Sequence, residues 1–163
     1  MSYIYYLNIY DTAATSSIQF AIAYGNALKK AGYNIVVSNN SWGSVSYSDA
    51  LKVAIQDSEK LGILFVAAAG NSATNNDSSP FYPASYAVPN VISVGSVDAG
   101  AIYSSFSNYG PTTVHIAAPG GSILSTIPGS MYAYKSGTSM AAPHVTGVVV
   151  LTQSVCSGVL TAP

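Results

Sequence analysis

Charged side chains are scarce in this sequence of 163 residues. Asp, Glu, Lys and Arg together make up 7% of the chain, whereas about 25% is usual for a soluble domain. The formal net charge at pH 7 is -1, so no surplus of basic side chains is available to neutralise phosphate groups. This composition argues against a nucleic-acid partner, and it is typical of the inner part of a larger domain.

Cysteine and histidine are also rare. Cys156 is the single cysteine, so the chain cannot form an internal disulfide. One cysteine and two widely spaced histidines cannot form a Cys/His metal cluster, so we expect no metal of that kind.

The longest apolar runs, such as residues 63–70, are too short to span a bilayer. The first ten residues lack the basic segment and cleavage site of a signal peptide, and we expect none there.

Apolar segments alternate with helical patterns along most of the chain. β-branched and continuously apolar stretches indicate buried strands, and the segments between them have helical periodicity. This alternation predicts an α/β fold of three layers, with a mostly parallel sheet flanked by helices. We expect helices over residues 17–31, capped by Ser17, and over residues 48–61, capped by Ser48. We expect strands over residues 3–9, 35–38, 63–69, 91–97 and 114–117. Residues 123–127 and 132–135 are expected to form a hairpin.

The segment at residues 136–145, Ser-Gly-Thr-Ser-Met-Ala-Ala-Pro-His-Val, has the pattern of a nucleophile site. A glycine turn delivers Ser139 to the first turn of an apolar helix, where unpaired N–H groups and the helix dipole favour negative charge. A serine that becomes an acyl ester benefits from such a position. The simpler alternative is a serine that only caps the helix.

A second polar site follows the apolar strand at residues 63–69. Asn71 lies directly after Gly70, and the carboxyl ends of parallel strands are where such sheets place their functional groups. The side-chain amide of Asn71 can donate a hydrogen bond to an oxyanion. An asparagine that only forms a turn is the alternative.

Three segments, residues 39–43, 67–72 and 136–145, closely resemble the subtilisin-like serine proteases (subtilases) in composition and chain order. The resemblance covers about residues 4–152 and only the later part of that family's catalytic domain. It implies a subtilisin-like fold truncated at both ends, with residues 1–163 forming a single partial domain. It also implies serine endopeptidase activity and, since the family is mostly secreted, an extracellular location.

The resemblance also assigns roles to individual residues. It implies that Ser139 is the nucleophile and that Asn71 belongs to the oxyanion hole. A polypeptide substrate in extended conformation would pair with the backbone as an added strand. The implied substrate-binding residues are Ser41, Trp42, Gly43, Ala68 and Gly70.

No cofactor is implied as a requirement. The resemblance places a weak structural cation near the carbonyl groups of Ala84, Tyr86 and Val91. Strand residues followed by turn prolines are the simpler interpretation of this stretch, and we prefer it.

The sequence lacks the partners that a serine nucleophile needs. Acyl transfer requires a base near the hydroxyl and a group that orients the base. The family supplies them from an Asp motif and a His-Gly-Thr-His motif, both upstream of the Ser-Trp-Gly segment, and neither occurs here. Asp11 lacks the glycine of the family motif, His115 is expected within a strand, and His144 lies well round the helix from Ser139. Lys135 has no context of a Ser-Lys enzyme.

The isolated chain is therefore expected to be inactive, although Ser139, Asn71 and Ser41 to Gly43 are intact. Two other interpretations stay open at this point. The chain could be a pseudoenzyme or peptide-binding fragment, or a decayed gene product without a function of its own.

Overall fold

The computed structural model of the protein describes residues 15–156. The predicted strand at residues 3–9 and Asp11 lie outside the described residues. The helices are α1 (Thr15–Lys30), α2 (Asp49–Lys60) and α3 (Thr138–Val155), and the strands are β1 (Val37–Asn40), β2 (Leu64–Ala68), β3 (Val91–Val97), β4 (Ile116–Pro119), β5 (Ile123–Ile127) and β6 (Met131–Lys135).

Four strands form one parallel sheet in the order β1-β2-β3-β4. Val37 pairs with Leu64 at the start of β1, and Asn40 pairs with Ala67 at its end. The two remaining strands, β5 and β6, form the predicted antiparallel hairpin. The mostly parallel sheet that the alternating pattern predicts is thus confirmed.

Strand β2 is buried on both faces, and its alternate side chains pack against different helices. Phe65 and Ala67 lie in the cluster that includes Leu51 and Ile55 of α2. Their neighbours along the strand pack on the other side of the sheet against α3. Because successive side chains of a strand point to opposite faces, β2 joins two cores. The predicted three-layer arrangement is therefore confirmed, and its second core contains Val66, Ala68, Val94, Ala118, Ala141, Ala142 and Val145.

The sequence predicts the bounds of α2 correctly and those of α1 only in part. Ser48 caps α2, and its hydroxyl accepts a hydrogen bond from the Leu51 N–H at 3.3 Å. Helix α1 begins at Thr15, so Ser17 lies inside it and the prediction that Ser17 is the cap was wrong. Ser17 is the third residue of α1. A serine is tolerated there because the N–H groups of the first turn have no intrahelical partner, so its side chain competes with no helical hydrogen bond of these groups.

Three other elements differ from their sequence patterns by two residues or more. Strands β1 and β4 each begin and end two residues later than predicted. Their bounds follow the partner strands, since Val37 pairs with Leu64 and Ile116 pairs with Val94. Helix α3 continues to Val155, although the apolar pattern weakens after Leu151.

None of the helices within residues 15–156 combines the length and the apolar character that crossing a membrane requires.

Asp77 ties the loop that follows Asn71 to the turn before β4. Its carboxylate accepts hydrogen bonds from the Thr113 hydroxyl at 2.6 Å, from the Thr113 N–H at 3.0 Å and from the Thr112 N–H at 3.2 Å. The Thr113 hydroxyl bond is the main cause that lowers the pKa of Asp77 below its ordinary value. These hydrogen bonds therefore stabilise the ionised carboxylate of Asp77 in the folded protein relative to the unfolded chain.

Because of these hydrogen bonds of Asp77, we expect the free energy of unfolding to depend on pH. Because the pKa of Asp77 is lowered on folding, its contribution is present above the unfolded pKa of about 3.9 and is lost as pH falls through the folded pKa. We expect Asp77→Asn to lower the free energy of unfolding at pH 6 and to cause a smaller loss at pH 3, measured by urea unfolding. Thr113→Val should show the same trend, and a loss that is equal at both pH values would contradict the prediction.

Candidate functional site

The candidate site lies where β1 and β2 end. Asn40 and Ala67 are paired, so the segments that leave the two strands, residues 41–43 and 69–71, emerge side by side. The amino end of α3 reaches the same edge, since Ser41 bonds to Ser139 and Gly70 bonds to Thr138. The parallel sheet thus brings three segments that are distant in the sequence to one place.

Ser41 and Ser139 bond to each other in both directions. The Ser139 hydroxyl donates to the Ser41 carbonyl oxygen at 3.2 Å, and the Ser41 hydroxyl donates to the Ser139 carbonyl oxygen at 2.8 Å. The Ser139 carbonyl is available because the residue four positions later, Pro143, has no N–H to offer it. Asn39 holds the Ser41 hydroxyl from the other side through its amide nitrogen at 3.0 Å.

Asn71 is held by Thr138, the first residue of α3. The Asn71 side-chain oxygen accepts from the Thr138 N–H at 2.8 Å and from the Thr138 hydroxyl at 2.9 Å. The Thr138 hydroxyl in turn accepts from the Gly70 N–H at 3.1 Å. Because both bonds use the oxygen of Asn71, its Nδ2 is directed away from Thr138, and it makes no hydrogen bond to any residue of the described range.

Two N–H donors border the same small space. A methyl group placed on Gly137 would lie 3.4 Å from Asn71 Nδ2 and 3.7 Å from the Ser139 backbone nitrogen. The Ser139 N–H belongs to the first turn of α3, where backbone donors have no intrahelical partner. The same point also lies 3.7 Å from the side-chain oxygen of Asn71, so both ends of the Asn71 amide and the Ser139 N–H border this space.

A buried network fixes the loop that carries Asn71. The Asn108 side-chain oxygen accepts from the N–H groups of Ser72 at 2.8 Å and Thr74 at 3.3 Å. Its amide nitrogen donates to the Asn76 side-chain oxygen at 3.0 Å. Gly70 has φ +110°, and a side chain there would overlap the Asn108 amide, so only glycine lets the chain turn at this point.

Trp42 and Gly43 leave a stretch of backbone without partners in the described part of the chain. Within residues 15–156, the backbone groups of Trp42 and Gly43 form no hydrogen bonds, and the pairing resumes only at Ser44. The Trp42 side chain is partly buried and packs against the core cluster that contains Leu51 and Phe65. The indole thus fixes the segment, and the backbone groups of Trp42 and Gly43 have no partner within residues 15–156.

Ala68 and Gly70 form the facing edge. Both residues are buried, and the Ala68 side chain packs into the core on the α3 side. Any contact of Ala68 with a substrate would therefore use its backbone.

Neither described histidine hydrogen-bonds Ser139. His115 lies just before β4, not within a strand as predicted, and its Nδ1 accepts from the Ser93 N–H at 3.0 Å. His144 is exposed on α3, and its Nδ1 pairs with the Met140 carbonyl at 2.8 Å. The side chain of Lys135 is exposed on β6. Within the described range, the hydroxyl of Ser139 therefore bonds to a carbonyl and not to a base.

The predicted cation site stays a prediction. Ala84, Tyr86 and Val91 are buried, and the carbonyl of Tyr86 already accepts the Val88 N–H at 2.8 Å. None of the three residues carries a carboxylate, so a cation held there would depend on neutral carbonyl oxygens, which suits weak binding only.

Two residues of the site were not found from the sequence. Thr138 and Asn108 position Asn71 and its loop, yet threonine and asparagine are common in turns and caps. The only signal for Thr138 is its place next to Ser139, and Asn108 lies in a turn that gives no sign of its bond to Asn76.

Comparison with known proteins places the chain in one family. The model of the subtilase family matches residues 5–161. The chain is 49% identical over 118 residues to the thermophilic serine proteinase of Bacillus sp. (strain AK1), covering 72% of this chain and 28% of that protein. It is 42% identical over 149 residues to subtilisin Savinase of Lederbergia lenta, covering 91% of this chain and 52% of that protein.

A solved structure agrees with these sequence matches. The crystal structure of a cold adapted subtilisin-like serine proteinase superposes with a TM-score of 0.80 and 34% identity, covering 93% of this chain and 52% of that chain. The chain thus spans about half or less of the length of these relatives. The predicted subtilisin-like fold is confirmed, and the chain belongs to the subtilase family.

Proposed function

We propose that this chain supplies the nucleophile and the oxyanion-binding groups of a serine endopeptidase, as part of a larger catalytic domain. The observation that carries the proposal is the reciprocal bonding of Ser41 and Ser139 beside Asn71. The oxygen of Asn71 is fixed by Thr138, and its Nδ2 has no partner within residues 15–156. A nucleophile and an oxyanion donor on rigid elements are the two groups that acyl transfer needs at the reacting carbon.

In the proposed reaction, the Ser139 oxygen attacks the carbonyl carbon of a peptide bond and its proton passes to a base. The carbonyl oxygen becomes an anion that accepts hydrogen bonds from Asn71 Nδ2 and the Ser139 N–H. Collapse of this tetrahedral species breaks the carbon–nitrogen bond, and the amine leaves with the proton from the base. Water then hydrolyses the acyl ester by the same steps.

The base and the group that orients it come from outside this chain in our proposal. The Ser139 hydroxyl donates to the Ser41 carbonyl, which cannot accept a proton at neutral pH. Without a base the hydroxyl is a weak nucleophile. We therefore expect the isolated chain to be inactive on ordinary peptide bonds.

The proposed substrate is a polypeptide in extended conformation. The backbone groups of Trp42 and Gly43 have no partners among the described residues, and an extended peptide can pair with them as an added strand. Main-chain pairing of this kind binds many sequences.

The test uses a free base in solution. The full chain is incubated with an activated peptide ester, an N-acetyl-peptide p-nitrophenyl ester, with and without imidazole, and acyl adducts are located by mass spectrometry. We expect an adduct on Ser139 that forms faster with imidazole and is absent in Ser139→Ala. Ser136→Ala, which changes an exposed serine of the same segment, serves as the matched control and should label normally.

Adducts that persist in Ser139→Ala, or that spread evenly over surface serines, would contradict the proposal.

A second candidate function is peptide binding without catalysis. It is favoured by the bond from the Ser139 hydroxyl to the Ser41 carbonyl, which occupies the hydroxyl in the absence of a base. Peptide binding without any Ser139 adduct would support that candidate.

A further inference from the structure

Thr146 lies on α3 about two helical turns after Ser139, so the two side chains are on nearly the same face of the helix. Thr146 is 6% exposed. Its hydroxyl donates to the Ala142 carbonyl oxygen at 3.1 Å and to the side-chain oxygen of Asn39 at 3.1 Å. The bond to Ala142 is the usual one between a threonine and the preceding turn of its own helix. The bond to Asn39 crosses from α3 to β1.

The bond to Asn39 is the first of three side-chain bonds that lead back to α3. Asn39 Nδ2 donates to the Ser41 hydroxyl oxygen at 3.0 Å, and the Ser41 hydroxyl donates to the Ser139 carbonyl oxygen at 2.8 Å. Because the Ser41 oxygen accepts from Asn39, its own proton is directed towards Ser139. The path therefore runs from the third turn of α3 through the end of β1 to the first turn of the same helix.

Thr146 fixes the direction of the Asn39 amide. Within residues 15–156, the Asn39 side-chain oxygen accepts a hydrogen bond from Thr146 alone, and the amide nitrogen is thereby turned towards Ser41. Rotating the amide by half a turn would place its oxygen next to the Ser41 hydroxyl, which would then donate to Asn39 and not to Ser139. Without the Thr146 hydroxyl, the half-buried Asn39 oxygen loses its partner, and the amide loses the bond that holds it in this direction.

The first turn of α3 depends on this path because the helix itself offers the Ser139 carbonyl no donor. Pro143 has no N–H at the required position, and the Ser41 hydroxyl takes its place. The Ser41 carbonyl in turn accepts the Ser139 hydroxyl at 3.2 Å. A shift of Ser41 therefore moves both the carbonyl and the hydroxyl of Ser139, and with them the N–H that borders the space beside Gly137.

We propose that Thr146 is a positioning residue for the acylation of Ser139 and acts through Asn39 and Ser41. The inference rests on the proposed function. The Thr146 hydroxyl reaches the nucleophile only through these two side chains, so its effect is on geometry and not on the chemical step itself. Acyl transfer is sensitive to geometry, since a misplacement of about 1 Å caused by a residue outside the reacting groups can cost about 10²-fold in rate.

The test measures how fast the full chain is acylated on Ser139 by the peptide ester and imidazole, at increasing ester concentrations. Thr146→Val keeps the shape of the side chain and removes the hydroxyl. We expect it to lower the limiting rate by about 3- to 10-fold, the range for losing one hydrogen bond. The half-saturating ester concentration should stay nearly unchanged, because the backbone of Trp42 and Gly43 is untouched. Thr146→Ser keeps the hydroxyl and should restore the rate.

Thr152→Val is the matched control. It makes the same change on the same helix, at a threonine whose hydroxyl donates to the Val148 carbonyl at 2.8 Å and to no side chain in the described part of α3 or the sheet. Acylation should therefore proceed at the wild-type rate. Asn39→Ala removes the middle of the path and should slow acylation by a factor similar to that of Thr146→Val. Combining the two substitutions should slow it no further, because the two residues act in series.

The outcomes separate the two proposals. A normal rate in folded Thr146→Val, a rate that Thr146→Ser does not restore, or fully additive effects with Asn39→Ala overturns the role of Thr146 alone. Thermal midpoints show which variants are folded, and if Thr146→Val does not fold, a normal rate in Asn39→Ala overturns the same role. No adduct on Ser139 in the wild-type chain overturns the proposed function, and the role of Thr146 falls with it.

Discussion

We expect Asn71→Asp to slow the acylation of Ser139 by about 10²–10³-fold, the range known for removing one oxyanion donor in a subtilisin. The substitution keeps the oxygen that accepts the N–H and hydroxyl of Thr138. It replaces Nδ2 with a second oxygen, which cannot donate and which repels a developing anion. The rate is measured with the peptide ester and imidazole, by following adduct formation on Ser139.

Asn71→Asp separates the effect on catalysis from the effect on folding more cleanly than Asn71→Ala does. Asn71→Ala removes the donor and also the acceptor of the two Thr138 bonds, so it should lower the free energy of unfolding by about 1 kcal/mol as well. Asn71→Asp should leave the thermal midpoint nearly unchanged, since the residue is exposed. Ser72→Ala, at the neighbouring exposed position, is the control and should acylate at the normal rate. A normal rate in Asn71→Asp would exclude Asn71 as the oxyanion donor.

We expect Asn108→Ala to lower the free energy of unfolding by about 2–4 kcal/mol, measured by urea denaturation. The Asn108 side chain is 1% exposed and makes three hydrogen bonds, to the N–H groups of Ser72 and Thr74 and to the Asn76 oxygen. Truncation leaves these partners unpaired, and the Asn76 oxygen is buried with Asn76 itself. Each buried group left without a partner costs about 1–3 kcal/mol.

The same substitution should also loosen the loop that carries Asn71, because Ser72 and Thr74 lose their anchor. Amide hydrogen exchange at residues 71–76 should therefore become faster relative to exchange in β2. Asn34→Ala, at an exposed position, is the matched control. A loss below about 0.5 kcal/mol in Asn108→Ala would show that water replaces the side chain and that the network does not hold the loop.

Local chemistry was sufficient to predict the elements whose hydrophobic pattern and terminal residues indicate the same bounds. Helix α2 has Ser48 at its start, Gly62 beyond its end and buried side chains at helical spacing, and its prediction was correct within a residue. Strand β3 was predicted with the right bounds because its apolar run ends in turn residues. Strands β1 and β4 were misplaced by two residues, because their bounds depend on pairing with β2 and β3.

The sequence by itself determined the family, the layered parallel fold, and Ser139 and Asn71 as candidates, because each lies in a contiguous motif whose local chemistry is visible. Only the tertiary structure decided how these residues meet. Thr138 bonds to Asn71 across 67 positions of the chain, and Ser41 bonds to Ser139 across 98. One edge of the Phe81 ring lies against both Gly43 and Gly70. Such contacts are set by sheet order and by the packing of α3 on the sheet, and no local pattern encodes them.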